Sequence, residues 1–183
     1  EILPYDRLSP HQDIVSERLA ILSNMPKTGV LLLSASTLAQ RVAPTSWILG
    51  EHFDIHVGQK FDLEQQKKKL IQAGYHLVDT VYDPGEFAVR GSIMDIYASG
   101  QEAPIRIDLF DDEIESLKFF DAETQRTTQS LQQFTVLPAQ EFPLKEGRAT
   151  FRDRYAEFFP TANPKKNPIY QDVMDGIVSP GIE

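Results

Sequence analysis

Between His76 and Phe120 the chain meets so many turn signals that only short strands fit between them. The segments "HLVDTVYD", "EFAVRG", "SIMDIYAS", "PIRIDLF" and "EIESLKFF" follow one another, separated by Pro-Gly, Arg-Gly, Ser-Gly and Asp-Asp. This spacing predicts a small antiparallel sheet. Just before it, "DLEQQKKKLIQAGY" predicts a helix to lie across the sheet, with Asp62 as its cap, Leu63, Leu70 and Ile71 toward the core, and Gly74 as a left-handed stop. The preceding "EHFDIHVG" alternates apolar and polar residues as a half-exposed strand does. A domain boundary is placed near Glu51, and residues 51–138 are expected to fold as one module.

The flanks have a different texture. "SPHQDIVSERLAILSNM" carries a helix start, with Ser9 as N-cap, Pro10 in the first position and Gln12 completing a capping box. Ile14, Val15, Leu19, Ile21 and Leu22 follow as an apolar stripe. The continuously apolar "VLLLSAS" predicts a strand buried on both faces of an α/β sheet, against which that helix packs. "STLAQRVAP" predicts a shorter helix stopped by Pro44. "RATFRDRYAEFF" and "IYQDVMDGI" predict two short helices near the end, too little to form a domain alone. The fold class expected is therefore α/β with an inserted α+β module: residues 1–50 and 139–183 are parts of an α/β domain interrupted by 51–138.

Composition narrows the function. A chain of 183 residues with 41% apolar residues holds a real core, and its net charge of -9 argues against a surface made for phosphate backbones. The absence of cysteine excludes disulfides and thiolate metal sites and fits the reducing cytoplasm. No apolar run is long enough to span a bilayer, so no membrane partner is expected. The chain starts without Met and is expected to be a piece of a longer protein.

Candidates for chemistry are few. Asp108, Asp111, Asp112, Glu113 and Glu115 could hold a divalent cation, but paired aspartates suit a hairpin tip, and Lys118 lies three residues after Glu115, which breaks a nuclease-like ExK pattern. His11, His52, His56 and His76 lack a metal spacing on one element. "NMPKTGV" is not a phosphate loop, because its Lys-Thr pair precedes the glycine. No GxSxG elbow occurs, and no catalytic or metal residue is assigned. What stands out is the outward face of "PIRIDLF": Ile105, Ile107 and Leu109 bury together, while Arg106, Asp108 and Phe110 line the other side, and Arg90 of "EFAVRG" can join them. Two readings of that face stay open, a solvated ion pair of Arg106 with Asp108 and a docking surface in which arginine and an aromatic are the anchors.

The motifs "GEFAVRGSIMDIY", "PIRIDLFDDEIESLKFFDAETQRT" and "LPAQEFP", with the opening "LPYDRLSPHQDIVSERLAIL" and closing "IYQDVMDGIVSPGIE", resemble the amino-terminal, UvrB-like region of the bacterial transcription-repair coupling factors, the Mfd family. UvrB itself shares the "RG...DI" and "R...LFDDEIE" elements but has other flanks. The resemblance implies a degenerate helicase-like α/β domain (1a and 1b) interrupted by domain 2, which binds UvrA. It also implies that the UvrA contact uses Arg90, Arg106 and Phe110, with Asp108 a weaker carry-over. Because UvrB presents a similar face, only one of the two occupies a given UvrA surface. RNA polymerase and DNA are implied as partners of other domains, and ATP and magnesium as cofactors of a motor elsewhere in the protein, with none in these residues. The competing readings are a piece of UvrB and a metal-dependent nuclease or an ATPase using the acidic turn. The chain is expected neither to hydrolyse ATP nor to bind DNA tightly; submicromolar binding to duplex DNA at physiological salt, measured by titration, would contradict this.

Overall fold

A computed structural model describes residues 9–39, 42, 44–50 and 52–178. Residues His11–Glu141 form one compact unit, and the described residues from Phe142 onward belong to a second.

The first unit is organised by a six-stranded sheet. In chain order its elements are α1 (Gln12–Ser23), α2 (Ala35–Ala39), α3 (Thr45–Gly50), β1 (Phe53–His56), α4 (Leu63–Gln72), β2 (His76–Leu77), β3 (Glu86–Arg90), β4 (Ile93–Ile96), β5 (Ile105–Phe110), β6 (Glu113–Phe120), β7 (Thr127–Leu131) and β8 (Gln133–Val136). Strands β2 to β7 lie side by side in sequence order, and β1 pairs with β8 in a separate two-stranded sheet. The expected antiparallel arrangement holds except at one edge, where β2 runs parallel to β3 and makes the sheet mixed. Only His76 and Leu77 of "HLVDTVYD" are extended, because Asp79 to Gly85 leaves the sheet as a loop that buries Val81. Strand β7, rich in Thr, Gln and Ser, carries no apolar alternation that sequence reasoning could have used; β8 does alternate, burying Phe134 and Val136, and is a strand that such reasoning missed.

The β5–β6 hairpin turns through Asp111 and Asp112, with Asp111 left-handed at φ 54°. Its register then shifts by one residue: Ile107 faces Leu117 and Asp108 faces Ser116, but Leu109 faces Ile114. Glu115 is the extra residue of this bulge, and it lets Ile114 and Leu117, three apart, both point into the core. Leu70 of α4 reaches the same core, whereas Ile71, expected there, is exposed on the far side of the helix. The cap of α4 is as expected, with Asp62 accepting from the Gln65 N–H at 3.0 Å and Gly74 at φ 92°.

The flank differs from expectation in two places. Helix α1 begins at Gln12 after His11, so Ser9, Pro10 and Gln12 do not form the capping box; the Gln12 amide instead donates to the Ala139 carbonyl at 2.6 Å. The run Val30–Leu33 is neither strand nor buried, because no described strand lies beside it to pair with. Val15 and Leu19 of α1 pack on Trp47 and Ile48 of α3, a helix the sequence did not announce, while Ile14 and Ile21 of the expected stripe stay exposed. The expected end of the second helix at residues 40–43 falls largely outside the described residues, as does Glu51 at the proposed boundary.

In the second unit, α5 (Leu144–Phe158) and α6 (Pro168–Asp175) meet through aromatic rings, Tyr155 lying 4.7 Å from Tyr170 between ring centres. Asn167 caps α6 by accepting from the Tyr170 N–H, Pro168 takes the first helical position, and Gly176 ends the helix left-handed.

Tyr75 ties the ends of the sheet module together. Its hydroxyl donates to the Leu137 carbonyl at 2.7 Å and accepts from the Ser99 N–H at 3.1 Å. Burial pushes its pKa up from 10.0 to about 12. The unfolded chain therefore releases this proton first. The stability contributed by the neutral phenol is full below about pH 10 and is lost as pH rises through about 12. Tyr75→Phe should cost about 1–3 kcal/mol at neutral pH by orphaning two backbone groups. In thermal melts from pH 7 to pH 12, the gap between parent and variant should close only in the alkaline part of the range; a gap independent of pH would contradict this.

Candidate functional site

The outward face of the sheet is built by strict cross-strand register. Ala88, Asp95, Arg106, Lys118 and Ser130 form one row across β3 to β7, and Arg90, Ile93, Asp108 and Ser116 form the next. Phe110, paired with Glu113, ends the face at the hairpin tip. Arg90, Arg106, Asp108 and Phe110 are thus brought onto one face, as the alternation of "IRIDLF" required.

The chemistry of that face is centred on a residue that sequence reasoning missed. The Asp95 side chain is only 1% exposed, and both its oxygens are engaged by arginines. Arg106 grips it side-on, Nε donating to Oδ1 at 2.8 Å and Nη2 to Oδ2 at 2.9 Å, while Arg90 Nη2 donates to Oδ2 at 2.6 Å. The guanidinium of Arg106 lies 4.7 Å from the centre of the Phe120 ring and donates through Nη1 to the Gln125 carbonyl at 3.3 Å. Its hydrogen bonds to Asp95 raise its already high pKa, against the opposing effect of burial. Phe120 is buried with Val81 and Ala88, so one end of this face is covered rather than solvated. The covering turn is held by Asp121, whose Oδ1 accepts from the N–H and hydroxyl of Thr124 at 2.7 Å each; these bonds hold its carboxyl below the usual range.

Arg106 therefore does not pair with Asp108, as the solvated-pair reading required. Asp95 stands directly opposite Arg106 on β4, whereas Asp108 lies two residues along the same strand, nearly 7 Å of chain away. Asp108 instead accepts from the Ser116 hydroxyl at 2.8 Å and from Lys118 at 3.1 Å. The sequence signals for Asp95 were a carboxylate inside the otherwise apolar "SIMDIY" and its place in the "RG...DI" element, and they gain meaning only once Ala88, Asp95 and Arg106 are known to share a row.

Accessibility divides the four residues. Phe110 is 70% exposed and the Arg90 side chain 51%, against 18% for Arg106. Phe110 stands beside Asp111, Asp112, Glu113 and Glu115, which line an open depression with it. A partner would thus meet an exposed aromatic between a guanidinium patch and an acidic rim. Asp112 pairs with Lys60 at 3.1 Å, and His52 lies in a loop with its Nδ1 against the Leu49 carbonyl. Among the described residues, no group of three or more His, Asp or Glu side chains converges as a metal site.

Residues 53–142, which hold every residue of the face, match the UvrB interaction domain family. Over its full length the chain is 42% identical to the transcription-repair-coupling factor of Escherichia coli (strain K12) and 39% identical to that of Haemophilus influenzae, covering 16% of each. It is 34% identical, over 80% of its length, to 12% of the transcription-repair-coupling factor of Myxococcus xanthus.

The ion-pair geometry predicts unequal costs in stability. Arg106→Ala leaves the buried carboxylate with one partner and should cost about 2–3 kcal/mol. Arg90→Ala should cost less than about 1 kcal/mol, since that side chain is half exposed, and Phe110→Ala should leave the melting temperature unchanged. Equal melting temperatures for Arg106→Ala and Phe110→Ala in calorimetry would contradict this.

Proposed function

Residues 53–142 belonging to the UvrB interaction domain family, within a chain similar throughout to transcription-repair coupling factors, we propose that this chain recruits UvrA for transcription-coupled nucleotide excision repair through the Arg90, Arg106 and Phe110 face. The single observation that carries the reading is the coincidence of the family match with an exposed arginine and aromatic on one sheet face, held in place before any partner arrives. Guanidinium groups suit carboxylate or carbonyl partners, and Phe110 suits an apolar pocket at the centre of the contact. Asp108, held by Ser116 and Lys118, contributes at the edge.

In this reading the module acts by binding, without catalysis and without a cofactor. Residues 51–138 form the UvrA-binding module, and residues 1–50 and 139–183 are parts of a degenerate helicase-like α/β domain, supported by the similarity of the flanks as well as the module. RNA polymerase and DNA are partners of other domains of the longer protein, whose motor uses ATP and magnesium. The protein acts in the cytoplasm; no described helix is long and apolar enough to cross a membrane. Sharing of the face with UvrB would let the protein deliver UvrA and then yield the site.

Two classes of variant separate binding from folding. Arg90→Ala and Phe110→Ala should each weaken UvrA binding by about 2 kcal/mol, roughly thirtyfold, with little change in melting temperature. Ile107→Ala, which opens the core behind the same strand, should cost about 2–5 kcal/mol of stability instead. Calorimetric titration with purified UvrA checks this, and unchanged binding by both surface variants would sink the reading.

A further inference from the structure

We propose that Asp95 is a positioning residue of this face: its buried carboxylate holds the Arg90 guanidinium in the orientation that meets UvrA. The inference rests on the reading above and goes beyond it, because Asp95 itself is too buried to touch a partner.

Arg106 is fixed several times over, by Asp95, by the Gln125 carbonyl and by the Phe120 ring. Among the described residues Arg90 has one anchor, the 2.6 Å bond from Nη2 to Asp95 Oδ2, and half of its side chain is in water. Without that anchor a long, rotamer-rich side chain must be ordered when the partner binds, a cost of roughly two- to tenfold in affinity. Asp95 also neutralises one of two guanidiniums that would otherwise repel each other at its Oδ2. A carboxylate this deeply buried is costly unless fully hydrogen-bonded, and a well-packed apolar replacement of the whole buried ion pair, rather than of one partner, is often as stable or more so. Val81, Ala88 and Phe120, buried on the same side of the sheet, show that apolar side chains can pack there.

The sign of the effect separates positioning from simple electrostatics. Asp95→Asn makes the face more positive, so if charge alone mattered, an acidic partner surface would bind the variant as tightly as the parent or more tightly. Positioning requires the opposite, roughly two- to tenfold weaker binding. It also requires that the loss vanish when Arg90 is already gone, so that Asp95→Asn with Arg90→Ala binds UvrA like Arg90→Ala alone.

The experiment is a titration of purified UvrA with the 183-residue chain and these variants, below the melting temperature of each. If Asp95→Asn does not melt cooperatively, the paired change Asp95→Leu with Arg106→Met replaces it and is compared with Arg106→Met alone, so that the contact of Arg106 itself is missing from both; the same further loss is expected, with the same disappearance when Arg90→Ala is added to each. The inference is overturned if either change at position 95 leaves binding unaltered or stronger while Arg90→Ala weakens it. Losses that multiply in the double variant overturn it as well. If Arg90→Ala and Phe110→Ala both bind like the parent, the UvrA reading fails, and this inference falls with it.

Discussion

The one-residue bulge at Glu115 sets which side chains of the central hairpin see the core and which lie on the outward face. Before it, Leu109 faces Ile114; after it, Ile107 faces Leu117 and Arg106 faces Lys118. A strand without the bulge would turn every side chain on one side of it to the wrong face, since the side-chain period along a strand is two. The core of Ile105, Ile107, Leu109, Ile114 and Leu117 and the outward row of Asp95, Arg106 and Lys118 therefore follow from the same register. A slip of register along this hairpin would therefore displace core and outward face together.

How much could be read from residues alone depends on how local the cause was. Asp62 and Gly74 bracket α4 by chemistry within one helical turn, and both ends were legible. The alternation of "IRIDLF" placed Arg106, Asp108 and Phe110 correctly on one face. Where the cause was tertiary, reading failed. "VLLL" looks like a buried strand because four apolar residues in a row usually are, yet no described strand runs beside it to accept its backbone hydrogen bonds. Gln12 looks like half of a capping box, but its amide reaches a carbonyl 127 residues away. Arg106 seemed to belong to Asp108, its neighbour along the strand, when the pairing that counts is across it, to Asp95.

This last difference bears on how the proposed contact works. Interface arginines pay for their flexibility at the moment of association. Here the ordering is done inside the folded module, by a carboxylate that has left water and by an aromatic ring beneath Arg106. Phe110 needs no such support, because a phenylalanine has few rotamers and its strand ends at the hairpin turn. The face thus joins a rigid cationic centre to an exposed apolar tip, and the acidic residues of the turn border that tip.

The clasp formed by α1 has a mechanical consequence. Gln12 holds the Ala139 carbonyl, Arg18 pairs with Glu141 at 2.9 Å, and Ser16 accepts from the Gly100 N–H at 2.8 Å. The points where the chain enters and leaves the first unit are therefore fastened to each other. Tension applied to the flanking chain would load these side-chain bonds first, one after another, and would reach the strands only after they had parted. The six-stranded sheet, and with it the face it displays, sits outside the line of force, so a load-bearing longer protein could pull on this unit without disturbing what it presents.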